Sequence, residues 1–154
     1  MELRRNLKID SVSRLSPTTP HVIEAERLVS AAVEMMREHK VGCLLVTRHQ
    51  KLVGIFTERD LLVRVLAAGL PLNVPITEVM TANPVTVDPK DSVRVVIKKM
   101  QSGGYRHLPV VNGDGRPTGV ISAKRIVHYL AEHYPNTIHT LSGPENIPNT
   151  PEGA

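Results

Sequence analysis

The chain repeats itself, and this constrains its fold more than any other feature. Laid over itself at an offset of 64 residues, Pro20 falls on Pro84, Met36 on Met100, Leu44 on Leu108 and Val46 on Val110. Past the second hairpin the offset becomes 65, and Gly54 falls on Gly119. The extra residue lies in a hairpin loop, where an insertion disturbs least. A unit of about 60 residues buries too little of its apolar surface to be stable alone. The two copies are therefore expected to pack face to face.

Each copy reads as strand, helix, strand, strand, helix. In the first, residues 21–23 make a short strand, and Leu28, Ala31, Ala32, Met35 and Met36 recur at helical spacing within 26–39. Apolar runs at 41–47 and 52–56 flank a polar turn. A helix over 58–68 follows, with Leu61, Leu62, Val65 and Leu66 inward and Gly69 as its stop. In the second copy 84–87 is a strand, and Asp88 is an N-cap ahead of Pro89. Val93, Val96, Ile97 and Met100 form a helical stripe ending at Gly103-Gly104. The strands 107–111 and 119–121 join through the turn Asn112-Gly113-Asp114-Gly115, and a helix spans 123–134. Pro109 lacks a ladder donor, which points to an edge or a bulge. The fold class is α/β in the α+β sense: two tandem β-α-β-β-α repeats, 9–70 and 76–134. Residues 1–8 and 136–154 show no such pattern and are expected to be flexible termini.

One Phe, three Tyr and no Trp in 154 residues leave an aliphatic core and few stacking platforms for single-stranded nucleic acid. The net charge of +4 is uneven. Arg94, Lys98, Lys99, Arg106, Arg116, Lys124 and Arg125 face one acid, Asp114, over that stretch. Such an excess suits an anionic partner, either a phosphate-bearing small molecule or nucleic acid. Cys43 is the only cysteine, which fits a reducing cytoplasm. No run approaches the ~18 apolar residues that span a bilayer, and no apolar run follows the basic N-terminus as in a secretory signal.

Two stretches carry the chemistry. Gly54-Ile55-Phe56-Thr57-Glu58-Arg59-Asp60 is a strand running into a helix, and its copy is Gly119-Val120-Ile121-Ser122-Ala123-Lys124-Arg125. Thr57 and Asp60 have the spacing of a capping box, in which each side chain satisfies a backbone N–H. The same geometry also suits a nucleotide, because a helix start attracts phosphate and a carboxylate can hold two ribose hydroxyls. No metal-ligand spacing, phosphate loop or nucleophile elbow is present, so neither a metal nor catalysis is expected. Cys43, within Gly-Cys-Leu-Leu-Val, reads as a core residue.

The repeat, the Gly-apolar-Thr/Ser-x-x-Asp helix start and the strand Tyr105-Arg106-His107-Leu108-Pro109-Val110-Val111 together resemble a tandem pair of cystathionine-β-synthase (CBS) domains, a Bateman module. The resemblance covers roughly residues 9–134 and is to the stand-alone prokaryotic type. It implies that the repeats pack through their sheets with pseudo-twofold symmetry, with two clefts between them for adenosine-containing ligands (AMP, ADP, ATP or S-adenosylmethionine) and no cofactor required. It also implies a homodimer that regulates a further, unknown protein, and no catalytic residues. Carried onto this chain, Asp60 holds the ribose, with Thr57 beside the phosphate. Arg106, His107, Lys124 and His128 contact the phosphates, and Val22, Gly42 and Cys43 line the adenine slot. Arg125 stands where the second aspartate belongs, so one adenosine site per chain is expected rather than two. The alternatives are a nucleic-acid-binding protein using the basic second repeat, and a purely structural dimerisation module.

Overall fold

In the computed structural model, which describes residues 2–134, the first repeat forms a four-stranded sheet in the order β1–β2–β3–β4. β1 (Val22–Glu24) runs parallel to β2 (Cys43–Arg48), and β3 (Lys51–Thr57) and β4 (Thr81–Ala82) follow antiparallel. The second sheet pairs β5 (His107–Val111) with β6 (Pro117–Ser122). Single bridges extend it on both sides, Val87 to Val110 and Thr18 to Val120. It is thus a reduced copy of the first sheet, and Pro109 explains the reduction. In the first repeat Leu45 N–H donates to His21 O at 2.9 Å. Its counterpart, Pro109, has no N–H to give Val85, so the expected strand 84–87 shrinks to one bridge. Against β6 the proline is harmless, because Val120 turns both its backbone groups to Thr18.

The repeats are locked together by exchanging their opening segments, the lead-ins to each repeat's first strand. The helical turn Val12–Leu15, at the start of the first repeat, buries Val12 and Leu15 in the second core with Val93, Val96, Leu108 and Ile121. The turn Ile76–Glu78, at the start of the second, buries Ile76 in the first core, beside Val79 and among Val29, Ala32, Leu44 and Phe56. The hydrogen bonds repeat too. Val12 N–H donates to Asp91 O and Ile76 N–H to Arg27 O, both at 2.9 Å. A third layer, Leu45, Ile55 and Val120, joins the two sheets face to face.

Helices α2 (Val29–His39), α4 (Val93–Gly103) and α5 (Ala123–His133) cover the sheets. The N-cap of α4 is Ser92, whose Oγ accepts from Val95 N–H at 3.2 Å. The cap expected at Asp88 is corrected accordingly: that carboxylate accepts from Lys90 N–H and closes a turn ahead of the helix. In place of the flexible terminus expected over residues 1–8, Glu2–Ile9 forms α1, which packs on α4 and sets Leu7 against the second core. Leu3 and Leu7, four apart, supply its apolar stripe. Just beyond α1, Asp10 accepts a hydrogen bond from the buried Tyr129 hydroxyl. Burial above all, with help from that contact, holds the phenol protonated. The segment 136–154 lies outside the described residues.

The helix expected over 58–68 is built differently. One α-turn, α3 (Glu58–Asp60), continues as a π-helix over Leu61–Leu66. Its wider winding shows in Leu70 N–H bonding Val65 O at 2.9 Å, five residues back. Val65 stays buried, but Leu62 and Leu66 turn outward and are 58% and 54% exposed, which corrects their inward assignment.

The exchange makes a directional prediction. Leu15→Ala is expected to destabilise the protein by about 2–5 kcal/mol. Hydrogen-exchange mass spectrometry is expected to show protection lost in β5 and β6 before β2 and β3, although Leu15 belongs to the first repeat.

Candidate functional site

Strand alternation decides which side chains can meet between the repeats. Leu44 and Val46 point into the first core, so Cys43 and Leu45 point toward the other sheet. Val22 is in register with Leu45, and Thr57 with Cys43, so both share that face. On the second sheet Leu108 and Val110 enter their own core, which leaves His107 on the facing side. The inter-sheet layer is apolar at Leu45, Ile55 and Val120. Where the strands turn into helices it becomes polar, at Thr57, Cys43 and His107.

Asp60 sits just behind this end and is 7% exposed. Its Oδ2 accepts from Thr57 N–H at 3.0 Å, and Thr57 Oγ1 accepts from Asp60 N–H at 3.2 Å, so the capping box is formed. Its other oxygen, Oδ1, takes a hydrogen bond from Thr81 Oγ1 at 3.3 Å and lies 3.5 Å from Arg64 Nε. The Arg64 guanidinium also donates to Met80 O at 2.8 Å. Asp60 is therefore both a helix cap and a buried carboxylate tied to β4. Thr81 is 21 residues away in sequence and was not foreseen. Arg64, one helical turn on, had the i,i+4 spacing that could have revealed it. In the second repeat no side chain caps the helix at Ser122, and Arg125 Nε reaches Leu15 O at 3.3 Å.

Around the polar end the two repeats differ in sign. Glu58 N–H donates to Gly42 O at 3.0 Å, and its carboxylate lies across Gly42, where a Cβ would collide with Oε1. The matching bond in the second repeat runs from Ala123 N–H to Arg106 O at 3.1 Å. Glu58 and Arg106 both act on the His107 ring. Burial lowers its pKa from 6.5, the Glu58 charge opposes this from the other repeat, and Arg106 adds to the lowering. Burial, with the Asp60 charge, pushes the Cys43 thiol up to about 12, so it is protonated and unreactive at neutral pH.

The structure thus gathers Val22, Gly42, Cys43, Thr57, Asp60 and His107 at one end of the inter-sheet layer, with Arg106 adjoining. Lys124 and His128 are exposed on α5 and make no hydrogen bond or ion pair with another described residue. Among the described residues no three His, Cys, Asp or Glu side chains are placed to hold a metal ion. Among them, too, no helix is long and apolar enough to cross a membrane.

His107 gives a pH signature. Its folded pKa lies below 6.5, so as pH falls the unfolded chain takes up its proton first and stability drops. Urea midpoints are expected to fall between pH 7.5 and 5.5, and less so in His107→Gln.

The CBS-domain family profile matches residues 12–67 and 76–132. An uncharacterised 17.7 kDa protein of Acidianus ambivalens is 28% identical over 131 residues, covering 84% of this chain and 76% of its own. The chain spans only 18% to 24% of the length of four Arabidopsis thaliana CBS domain-containing proteins, each 31% identical to it. Among solved structures, a protein with CBS domains from Burkholderia ambifaria MC40-6 is 30% identical with a TM-score of 0.68, covering 84% of this chain and 93% of that one. A CBS domain pair in complex with 5′-methylthioadenosine and S-adenosyl-L-methionine is 26% identical, with a TM-score of 0.69 and coverage of 77% and 97%. Two matched copies spanning most of the chain, on two sheets that exchange their lead-in segments, place it in the CBS-domain family as a tandem pair.

Proposed function

We propose that this chain is a regulatory module, not an enzyme, and that it binds one adenosine-containing ligand between its repeats, 9–70 and 76–134. The observation that carries this reading is Asp60. A carboxylate that only capped a helix would need one oxygen. Here the second oxygen is held by Thr81 and the half-exposed Arg64, partners that a pair of ribose hydroxyls can replace. Thr57, Gly42, Cys43 and Val22 line the first repeat's side of the cleft. Arg106 and His107 come from the second, and Lys124 and His128 complete the phosphate side. The related pair that holds 5′-methylthioadenosine and S-adenosyl-L-methionine supports an adenosine ligand. The second cleft has Arg125 in place of the aspartate, which supports a single site.

Binding would work by population shift. Thr81 lies on β4, in the opening segment of the second repeat, so a ribose at Asp60 competes with a contact that joins the repeats. A homodimer and a downstream protein would read that change.

Calorimetry with AMP, ADP, ATP and S-adenosylmethionine tests the proposal. One site per chain is expected. Asp60→Asn, which keeps an acceptor for the cap, is expected to weaken binding about 10- to 150-fold, the loss of roughly 1.5–3 kcal/mol for hydrogen bonds to a charged group. Unchanged affinity in a folded variant would remove Asp60 from the site, and two equivalent sites per chain would remove the asymmetry. Steeply salt-dependent binding of nucleic acid that free nucleotide does not displace would favour the nucleic-acid alternative.

A further inference from the structure

The two crossings between the repeats are pinned by arginines, and only one pin passes through a carboxylate. Arg64 stands within the π-wound segment Leu61–Leu66, and its guanidinium makes two contacts at once. Nη1 donates to Met80 O at 2.8 Å, and Nε lies 3.5 Å from Asp60 Oδ1. The same Oδ1 accepts from Thr81 Oγ1 at 3.3 Å. Asp60 and Arg64 together therefore hold two successive residues of the second repeat's opening segment. Met80 is also seated by packing, its sulfur lying on the bare backbone of Gly54, where a Cβ would collide with it. The Arg64 side chain is 49% exposed and the Asp60 side chain 9%, so the cation can leave into water and the carboxylate cannot. At the other crossing Arg125 Nε reaches Leu15 O at 3.3 Å, and no ion pair joins Arg125 to another described residue.

We propose that Arg64 is a latch on the adenosine site. It holds Asp60 while the cleft is empty, lowers the affinity for ribose, and passes the arrival of ribose to the opening segment of the second repeat. This latch rests on the adenosine reading above and names how that site is regulated. A cation beside a nucleotide site is ordinarily expected to strengthen binding. Here the guanidinium is engaged with the oxygen that ribose hydroxyls need. They can displace it, because a half-exposed ion pair is screened by water and is weak. Thr81 then loses its acceptor and Arg64 keeps only Met80 O, so the crossing at 79–83 loosens. The crossing at Val12–Leu15 keeps Arg125 and does not respond.

The experiment combines calorimetry and hydrogen-exchange mass spectrometry with adenosine, on the whole chain and on Arg64→Gln. Adenosine has no phosphate, so Arg64 gains no charge contact from it. Circular dichroism verifies the fold of the variant. Arg64→Gln is expected to bind adenosine about two- to fivefold more tightly, the strength of a half-exposed ion pair. In the native chain, saturating adenosine is expected to lower exchange around Gly42 and Cys43. It is expected to raise exchange over 79–83, where Asn83 N–H bonds Val53 O at 3.1 Å, and to leave 12–15 unchanged. In Arg64→Gln the exchange over 79–83 is expected to be high before adenosine is added. An arginine with only a structural role gives a variant that binds adenosine equally or more weakly, and that result would overturn the latch. Native exchange over 79–83 that falls or stays level on binding would overturn it too, whether or not the variant folds. Both results leave the adenosine site standing. Failure of the native chain to bind adenosine, AMP or S-adenosylmethionine would overturn the adenosine reading and the latch together.

Discussion

The apolar contacts of Val12 and Leu15 with the second core, and of Ile76 and Val79 with the first, hold this molecule together. Neither repeat closes its own core. Each takes two buried side chains, and an edge pairing for its sheet, from the opening segment of the other. Short units gain buried area this way without lengthening. A further consequence is mechanical. The lead-ins cross the boundary between the repeats, so a shift of one repeat against the other disturbs packing in both cores.

On that frame the two helix starts have diverged. The first is fully capped by Thr57 and Asp60, and Asp60 is tied in turn to Thr81 and Arg64. The second has no side-chain cap and carries Arg125, a cation at the positive end of a helix, where it is electrostatically disfavoured. Its guanidinium reaches back to Leu15 O, on the lead-in that fills the second core. Arg64 does the equivalent on the first side by bonding Met80 O. Both repeats therefore pin their lead-in with an arginine, but only the first adds a buried carboxylate beneath it. The capping and ligand readings of Asp60 are compatible, since the cap uses one oxygen and leaves the other facing partners that can be exchanged.

The environment of the cleft suits recognition better than chemistry. Cys43, the one nucleophilic thiol, is held protonated by burial and by the Asp60 charge. His107 is kept on its neutral side, and the long charged groups beside it come from opposite repeats with opposite signs.

Much of this was legible in the residues. The offset of 64 fixes the repeat, strand periodicity separates core from inter-sheet positions, and Thr57 with Asp60 announces the cap. These are local signals, carried by spacing alone. The π-winding at Leu61–Leu66 was not legible, because the apolar spacing there fits an α-helix equally well and only packing chooses the winding. The cap at Ser92 rather than Asp88 was missed because Asp88-Pro89 is itself a strong local signal, satisfied instead in a turn. The helix at Glu2–Ile9 forms where α4 offers an apolar surface, which no eight-residue pattern can report. The sequence alone therefore determined two copies of one unit and the unequal pair Asp60 and Arg125. Tertiary structure alone decided that the lead-ins are exchanged, that Thr81 and Arg64 hold Asp60, and that Glu58 lies over Gly42. These depend on contacts between distant segments, whose partners no spacing along the chain encodes.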